Sequence, residues 1–274
     1  MSMTALTKEQ IDFFETFGFI KFPQLFADRL DWILEQFADT FPQEDKAMVH
    51  DGSKRTCVVP FIDQKMSTLL DDPRILAIGS SLLGDDFNYM GSDGNYYTGD
   101  TGWHRDGFHK KHRHLKIAFY LDQLDGNSGA LRVIPGSHRV HDQFGKDLTG
   151  TTGKSETFWQ VAGADVPAYV LDVTPGDVLV FNHNTFHSSW NGNSNRRMFT
   201  INLCERYEEQ DLQELRDYIS SFDRFWLDRV FSETMRNTAS PERMKHLEQV
   251  MANDGHLAAL SAEKRLTMAE PSRG

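Results

Sequence analysis

From about Asn88 to Tyr207 the sequence is cut into short apolar runs by glycine-bearing turns, and this texture restricts the fold more than any other feature. The clearest runs are Leu115 to Leu121, Leu131 to Ile134, Tyr169 to Val173, Val178 to Phe181 and Met198 to Leu203. Each is too short for an ordinary helix but long enough to cross a sheet. Between them stand Asp125-Gly126-Asn127, Pro135-Gly136-Ser137, Pro175-Gly176-Asp177 and Asn191-Gly192-Asn193, residues that supply turn geometry. A β barrel or sandwich over about 88–207 is the expectation.

Helices are expected on either side of that core. Thr7 and Gln10 have capping-box spacing, Leu6 and Ile11 flank them as a hydrophobic staple, and Gly18 follows as a C-terminal glycine would. Phe19 to Phe22 then reads as a strand. Leu30, Ile33, Leu34 and Phe37 predict a second helix from about Asp28 to Phe41, stopped by Pro42. Asp72-Pro73 opens a third, which runs to Gly84. N-terminal helices thus occupy 7–41 and a helical region about 208–260, where Leu212, Leu215 and Ile219 share a face. The stretch from Asn237 to Gly274 has the weakest pattern, and its last few residues are expected to lack fixed structure. Without repeats or a flexible linker, residues 1–274 read as one domain, mainly β with flanking helices.

Twenty Phe and five Trp in 274 residues supply a wide core. A net charge of -11 argues against nucleic-acid binding. The two cysteines, Cys57 and Cys204, are too few for a disulfide framework or thiolate zinc site. No apolar run is long enough to span a bilayer, and Met1 to Gln10 shows no export signal, so a cytoplasmic protein is expected. Lys110, Lys111, His112 and Arg113 form a local basic cluster that reads first as a solvated loop.

Chemistry concentrates at His104-Arg105-Asp106. On an extended strand, positions i and i+2 point the same way, so His104 and Asp106 can converge on one ion. His187 adds a second imidazole, completing the two-histidine, one-carboxylate set of non-haem iron(II) oxygenases. His183, four residues earlier, competes for that role. Downstream, Arg196 and Arg197 open a strand, and a planar guanidinium suits the far carboxylate of a 2-oxoglutarate co-substrate. Strand parity puts Arg197 with the packing residues Phe199, Ile201 and Leu203, and Arg196 with Met198, Thr200 and Asn202. Arg196 is therefore the first choice and Arg197 the fallback. His109, His112 and His114 read as loop or supporting residues and His138 as structural. Asn95, Tyr96, Tyr97 and Trp103 suit either a pocket wall or the core. Lys116 alternates with Ala118 and Tyr120, which allows an interior position, although exposure is the default for lysine.

The chain resembles the phytanoyl-CoA dioxygenase family over roughly residues 7 to 207. The resemblance rests on Gln10 to Phe14 with Gly18-Phe19-Ile20, on His104-Arg105-Asp106, on Gly129-Ala130-Leu131-Arg132-Val133-Ile134-Pro135-Gly136-Ser137-His138, and on Gly176 to Phe181 leading to His187-Ser188-Ser189. It implies a double-stranded β-helix (jelly roll, cupin-like) with iron(II) on His104, Asp106 and His187, and 2-oxoglutarate and O2 as co-substrates. Ser189 is implied as a second contact to the far carboxylate. The implied reaction releases succinate and CO2 and by default hydroxylates an unactivated C–H bond. The retained Asp106 argues against halogenation. Ser188 departs from the glycine often found there. If Lys110 to His114 lie at the pocket mouth, the substrate is a small polar or anionic metabolite. Two other readings compete: a zinc or manganese hydrolase or isomerase on a cupin-like barrel, and a ligand-binding jelly roll without catalysis. The expected partner is a small molecule, with a homodimer also open. The C-terminal helices would cap the site or form the dimer contact.

Overall fold

The computed structural model describes residues 4–41, 55–62, 64–192 and 196–272. Two antiparallel sheets form its centre. The larger runs in the order β1 (Phe19–Phe22), β9 (Val178–Asn182), β6 (His114–Tyr120), β11 (Arg196–Cys204), β4 (Gly94–Tyr97) and β2 (Arg55–Val58), with β3 (Asn88–Tyr89) pairing with the end of β11. The smaller has the order β5 (Thr101–His104), β10 (His187–Ser189), β7 (Leu131–Val133) and β8 (Tyr169–Leu171). The arrangement is the jelly roll that the family resemblance implies, within the barrel-or-sandwich class expected from the short runs and turns.

Alternation along the central strands explains why they read as nearly continuous apolar runs. Ile117, Phe119, Val178, Val180, Phe199 and Ile201 point outwards into a large core shared with the helices. Their neighbours Ala118, Tyr120, Leu179 and Phe181 point inwards, where they meet Leu131 and Val133 of the smaller sheet. With both faces of the larger sheet covered, few positions are left for polar residues. Those that do face inwards therefore matter, and Lys116, Asn202 and Arg196 are among them.

Helix α1 (Lys8–Phe17) has the expected capping box between Thr7 and Gln10. Gly18 ends it in the left-handed region at φ 82°, its N–H donating to the Phe14 carbonyl at 2.7 Å. A Cβ there would come within 2.3 Å of the His138 ring, so the glycine also allows the family-like turn to pack under the helix end. The second helix, α2 (Leu30–Thr40), starts later than expected, after a 3₁₀ turn at Ala27–Arg29. Asp28 accepts a hydrogen bond from Arg74 at 2.6 Å and does not cap the helix. Pro42, the expected stop, lies outside the described residues. Helix α3 (Pro73–Leu83) follows the Asp72 cap as expected, with Gly84 at its end.

Beyond β11 the weakly patterned end of the chain is helical: α6 (Leu212–Ser220), α7 (Glu233–Asn237), α8 (Pro241–Lys245), α9 (Glu248–Asn253) and α10 (Leu257–Thr267), after two short helices within the core, α4 (Gln143–Leu148) and α5 (Ser155–Trp159). Its anchors are isolated side chains rather than a stripe. Buried Arg243 donates to Asp71 and Ser67, both at 3.0 Å, and Leu247, Val250 and Leu257 are fully buried. Residues 273 and 274, within the segment expected to lack structure, lie outside the described residues.

Asp177, in the turn before β9, shows how the sheet edge is tied down. One carboxylate oxygen accepts from the Gln24 backbone and side-chain N–H groups, both at 2.8 Å; the other accepts from Thr174 N–H at 3.0 Å and pairs with Lys21 at 2.8 Å. Burial opposes ionisation, yet Lys21 and the N–H donors hold the acid below its ordinary value. Asp177→Asn is expected to destabilise the fold by about 1–3 kcal/mol at neutral pH, because a buried amide cannot satisfy four donors. A depressed carboxylate contributes stability above its unfolded pKa and loses it as pH falls. The wild-type advantage, measured by urea unfolding, should therefore shrink below about pH 4, where the unfolded-state acid takes up its proton.

Candidate functional site

His104 ends β5 and faces His187, which opens β10; the two are direct cross-strand partners with ring centroids 4.2 Å apart. Each Nδ1 lies 2.9 Å from a backbone carbonyl, Gly102 for His104 and Thr185 for His187. A carbonyl only accepts, so Nδ1 carries the proton and Nε2 keeps its lone pair. Both Nε2 atoms look towards one oxygen of Asp106, at 3.8 and 3.7 Å. Asp106 lies just beyond the strand. The His183 carbonyl accepts from the Asp106 and Gly107 N–H groups at 3.1 and 3.3 Å and turns the chain back at this point.

The electrostatics suit a cation. Burial pushes His187 down to about 4, so its imidazole is neutral at pH 7. Burial would raise Asp106, but Lys116 and the imidazoles of His187, His183 and His104 hold it well below the usual carboxylate range. Lys116 Nζ lies 2.9 Å from the second Asp106 oxygen. This interior position replaces the exposed one that is the default for lysine. Two imidazoles and an ionised carboxylate within 4.8 Å of one another fit a divalent transition metal with open positions. Zinc would accept the same donors, so the donor set alone does not name the ion.

A cavity opens onto this cluster, and its walls include Tyr97, Tyr120, Ser189, Met198 and Arg196. Arg196 is buried, and its donors go to the Gly129 carbonyl and, at 2.9 Å, to the Gly99 carbonyl. Among the described residues its Nε has no hydrogen-bond partner and no carboxylate is hydrogen-bonded to it. Burial lowers the Arg196 pKa, as expected for a cation removed from water without an anion against it. Gly129 explains part of the family-like motif: at φ +91°, a Cβ there would meet Arg196 Nη1 at 2.3 Å. The rest of that motif forms β7, which registers Val133 against His187 and Leu131 against Ser189. Arg197 is on the other side of β11, bonded to Asp122 at 2.6 and 3.1 Å, and does not line the cavity.

A second cavity meets the first at Asp93, Asp106 and Lys116. Its other walls include Asn202 and His183, Tyr218 of α6, and Phe222, Arg224 and Phe225 just after that helix. The C-terminal region therefore contributes directly to the site. Sequence gave little warning of this, because Arg224 and Phe225 sit in a turn without periodicity.

The basic cluster does not stand at either cavity. His112 is buried beside Asp211, Lys111 pairs with the same Asp211, and Arg113 bonds Glu15 at 2.6 Å and the Leu82 carbonyl at 3.0 Å. Lys111 and Arg113 are matched by acids about a hundred residues away in sequence, which no local pattern reveals. Of the aromatic run before the triad, Asn95 and Tyr97 line the first cavity, Tyr96 packs on Phe37 and Phe41, and Trp103 donates to the Gly163 carbonyl at 2.8 Å in a separate apolar cluster.

Sequence reasoning missed one grouping. His109, His114 and His183 come together beside the first cluster, one ring nitrogen of each within 4.8 Å of the others. Burial pushes His109 to about 4 and His183 to about 3, and drives His114 well below the ordinary imidazole range, so all three are neutral. The signal available was the number of histidines in 104–114. It could not be read, because His183 arrives from the β9–β10 turn.

A jelly roll whose interior gathers two histidines and a carboxylate has the donor set of a metal-dependent enzyme. The sequence matches the phytanoyl-CoA dioxygenase family over residues 14–199, and the chain belongs to that family of iron- and 2-oxoglutarate-dependent oxygenases. Membership favours iron with 2-oxoglutarate over the zinc or manganese centre of the competing hydrolase or isomerase reading. No curated protein matches the sequence. Among solved structures, the chain is similar to EvdO2 from Micromonospora carbonacea var. aurantiaca complexed with 2-oxoglutarate, at TM-score 0.53 and 18% identity over 74% of this chain and 92% of EvdO2. It is also similar to SnoK, a non-haem α-ketoglutarate-dependent carbocyclase from nogalamycin biosynthesis, at TM-score 0.57 and 18% identity over 79% and 92% of the two chains. EctD from S. alaskensis aligns at TM-score 0.54 and 21% identity, covering 73% and 77%. At these identities the likeness is one of fold.

Proposed function

We propose that this enzyme hydroxylates an unactivated C–H bond of a small polar or anionic metabolite, holding iron(II) on His104, Asp106 and His187 and the far carboxylate of 2-oxoglutarate on Arg196 and Ser189. The observation that carries this reading is Arg196, a buried guanidinium in the cavity that opens onto the metal cluster, which bonds the Gly129 and Gly99 carbonyls, lies over the Tyr97 ring and has no carboxylate hydrogen-bonded to it among the described residues. A buried cation left in that state calls for an anionic ligand. When bound, iron with 2-oxoglutarate and dioxygen supplies oxidative decarboxylation to succinate and CO2, coupled to removal of a hydrogen atom from substrate.

The chain's own residues bind, orient and exclude. The Gly102 and Thr185 carbonyls fix the two imidazole tautomers. Lys116 occupies one Asp106 oxygen and leaves the other for the metal, which favours one-oxygen ligation and open positions. Substrate enters the second cavity, where Phe222 and Phe225 exclude water and Arg224, partly in solvent, meets a negative group. Hydroxylation is the proposed outcome, because the reading involves no second oxidation. The compartment proposed is a reducing cytoplasm, in keeping with Cys57 and Cys204 as thiols rather than a disulfide.

The test begins anaerobically with iron(II) and 2-oxoglutarate. Wild type should show the weak visible charge-transfer band of the chelate and His187→Ala should not; absence of the band from iron-loaded wild type defeats the reading. Succinate release is then screened with small carboxylates, phosphates and phosphonates. For the substrate found, Arg224→Ala should raise KM about 10- to 100-fold with kcat little changed, the value of one charged hydrogen bond used in binding alone. An unchanged KM would remove the anionic-substrate part of the proposal.

A further inference from the structure

The three imidazoles beside the iron centre have no task in the reaction described, and their surroundings are those of ligands. Each keeps one ring nitrogen buried and without a hydrogen-bond partner: Nε2 of His109, Nδ1 of His114 and Nδ1 of His183. Three such atoms in one place are unusual, since buried polar groups nearly always find partners.

In two of the three rings, His183 and His114, the opposite nitrogen is held. His183 Nε2 lies 3.3 Å from Asn202 Oδ1, and Asn202 Nδ2 donates to the Gly91 carbonyl at 3.3 Å. That second bond fixes the amide orientation, so Nε2 is the donor and His183 Nδ1 carries a bare lone pair. His114 Nε2 lies 2.7 Å from the Tyr207 hydroxyl, which can accept its proton and leave Nδ1 bare as well. A partner on the far nitrogen that fixes ring and tautomer is the usual support of a metal-binding histidine.

We propose that His109, His114 and His183 form a second metal site, distinct from the iron ligands, that takes zinc(II) through three imidazoles. No carboxylate or thiolate belongs to the set, and three nitrogens with an open fourth position suit a tetrahedral, borderline-soft ion. His109 and His114 are stacked at 3.6 Å with ring planes 7° apart, and a shared ion must lie in the plane of each ring it binds. Closing the site therefore turns the His109 ring, which is carried by the loop between β5 and β6. His183 also lines the second cavity, so zinc here would add positive charge to that wall.

The experiment is zinc titration of metal-stripped enzyme, followed by dialysis and metal analysis, with far-UV circular dichroism on each variant. Wild type should retain two zinc ions per chain, one at each cluster. Asp106→Ala should retain one, and so should His109→Asn and His114→Gln. His109 is only partly buried, so its variant tests the site even if replacement of fully buried His114 unfolds the chain. Cobalt(II) gives a second readout: wild type should show the strong visible bands of four-coordinate cobalt, lost in His109→Asn and kept in Asp106→Ala. A wild type retaining a single zinc that disappears in Asp106→Ala overturns the proposal. Two zinc ions retained by folded His109→Asn and His114→Gln overturn it equally.

Discussion

Asp106→Asn is expected to abolish retention of iron(II) and to lower substrate-linked succinate release by more than about 100-fold, the upper figure for loss of a group that merely supports a ligand. The change is nearly isosteric but exchanges a full negative charge for a dipole. The two Nε2 atoms 3.7 and 3.8 Å from the carboxylate would then face a neutral amide, and two imidazoles alone hold iron(II) poorly. The variant also leaves Lys116, 2.9 Å away, without its anion. Removing one partner of a buried pair is destabilising, so the melting temperature should fall as well. Asp106→Asn with Lys116→Met separates the two effects, because the double variant removes both charges. Stability should recover in it and iron retention should not. Iron analysis after anaerobic reconstitution and gel filtration gives the first result, and thermal unfolding of the metal-free proteins the second. Full iron retention in either variant would exclude Asp106 as a ligand.

That test bears on the part of the site most legible in the sequence. The two-residue spacing of His104 and Asp106 signals their convergence, although β5 ends at His104 and Asp106 reaches the cluster because the chain turns back on the His183 carbonyl. Parity along β11 likewise separates Arg196 from Arg197: Arg196, Met198 and Asn202 line the cavities, while Phe199, Ile201 and Leu203 enter the outer core. The capping box of α1 and the left-handed Gly18 are short-range effects, and they occur where the residues indicate. Features that depend on distant partners could not be read. Lys116 is interior because Asp106 is across from it, and a lysine flanked by apolar residues looks the same when exposed. Arg113 appears to be a surface charge until Glu15 of α1 is placed against it. After α6, whose Leu215 and Ile219 are buried on the face that the sequence shows, the C-terminal helices are short and held by single anchors such as Arg243, so no apolar period marks them. For the same reason the second cavity, walled in part by residues after Tyr218, was out of reach of the sequence.

Arg196→Met should weaken 2-oxoglutarate binding by about 2–5 kcal/mol, the loss typical when one side of a buried, hydrogen-bonded charge pair is removed. In affinity that is roughly 30- to 5,000-fold. Metal-free and co-substrate-free stability should respond differently. The guanidinium is buried against the Gly129 and Gly99 carbonyls with Nε unpartnered, so its desolvation is poorly offset in the empty protein. Methionine removes that penalty but leaves two carbonyls without their donor, and these opposed terms should keep the change within about 1 kcal/mol. Co-substrate should then separate the proteins. A ligand at 100 times its Kd stabilises by about 2.7 kcal/mol, so wild type should melt several degrees higher with 2-oxoglutarate and metal, while the variant should not respond. Arg197→Met serves as the control. Its side chain is on the opposite side of β11, bonded to Asp122, and its loss should lower stability in both conditions without reducing the response to 2-oxoglutarate. If Arg197→Met lost that response and Arg196→Met kept it, the clamp would have to be assigned across the strand. Both the parity argument and the meaning given to the unpaired guanidinium would then fail together.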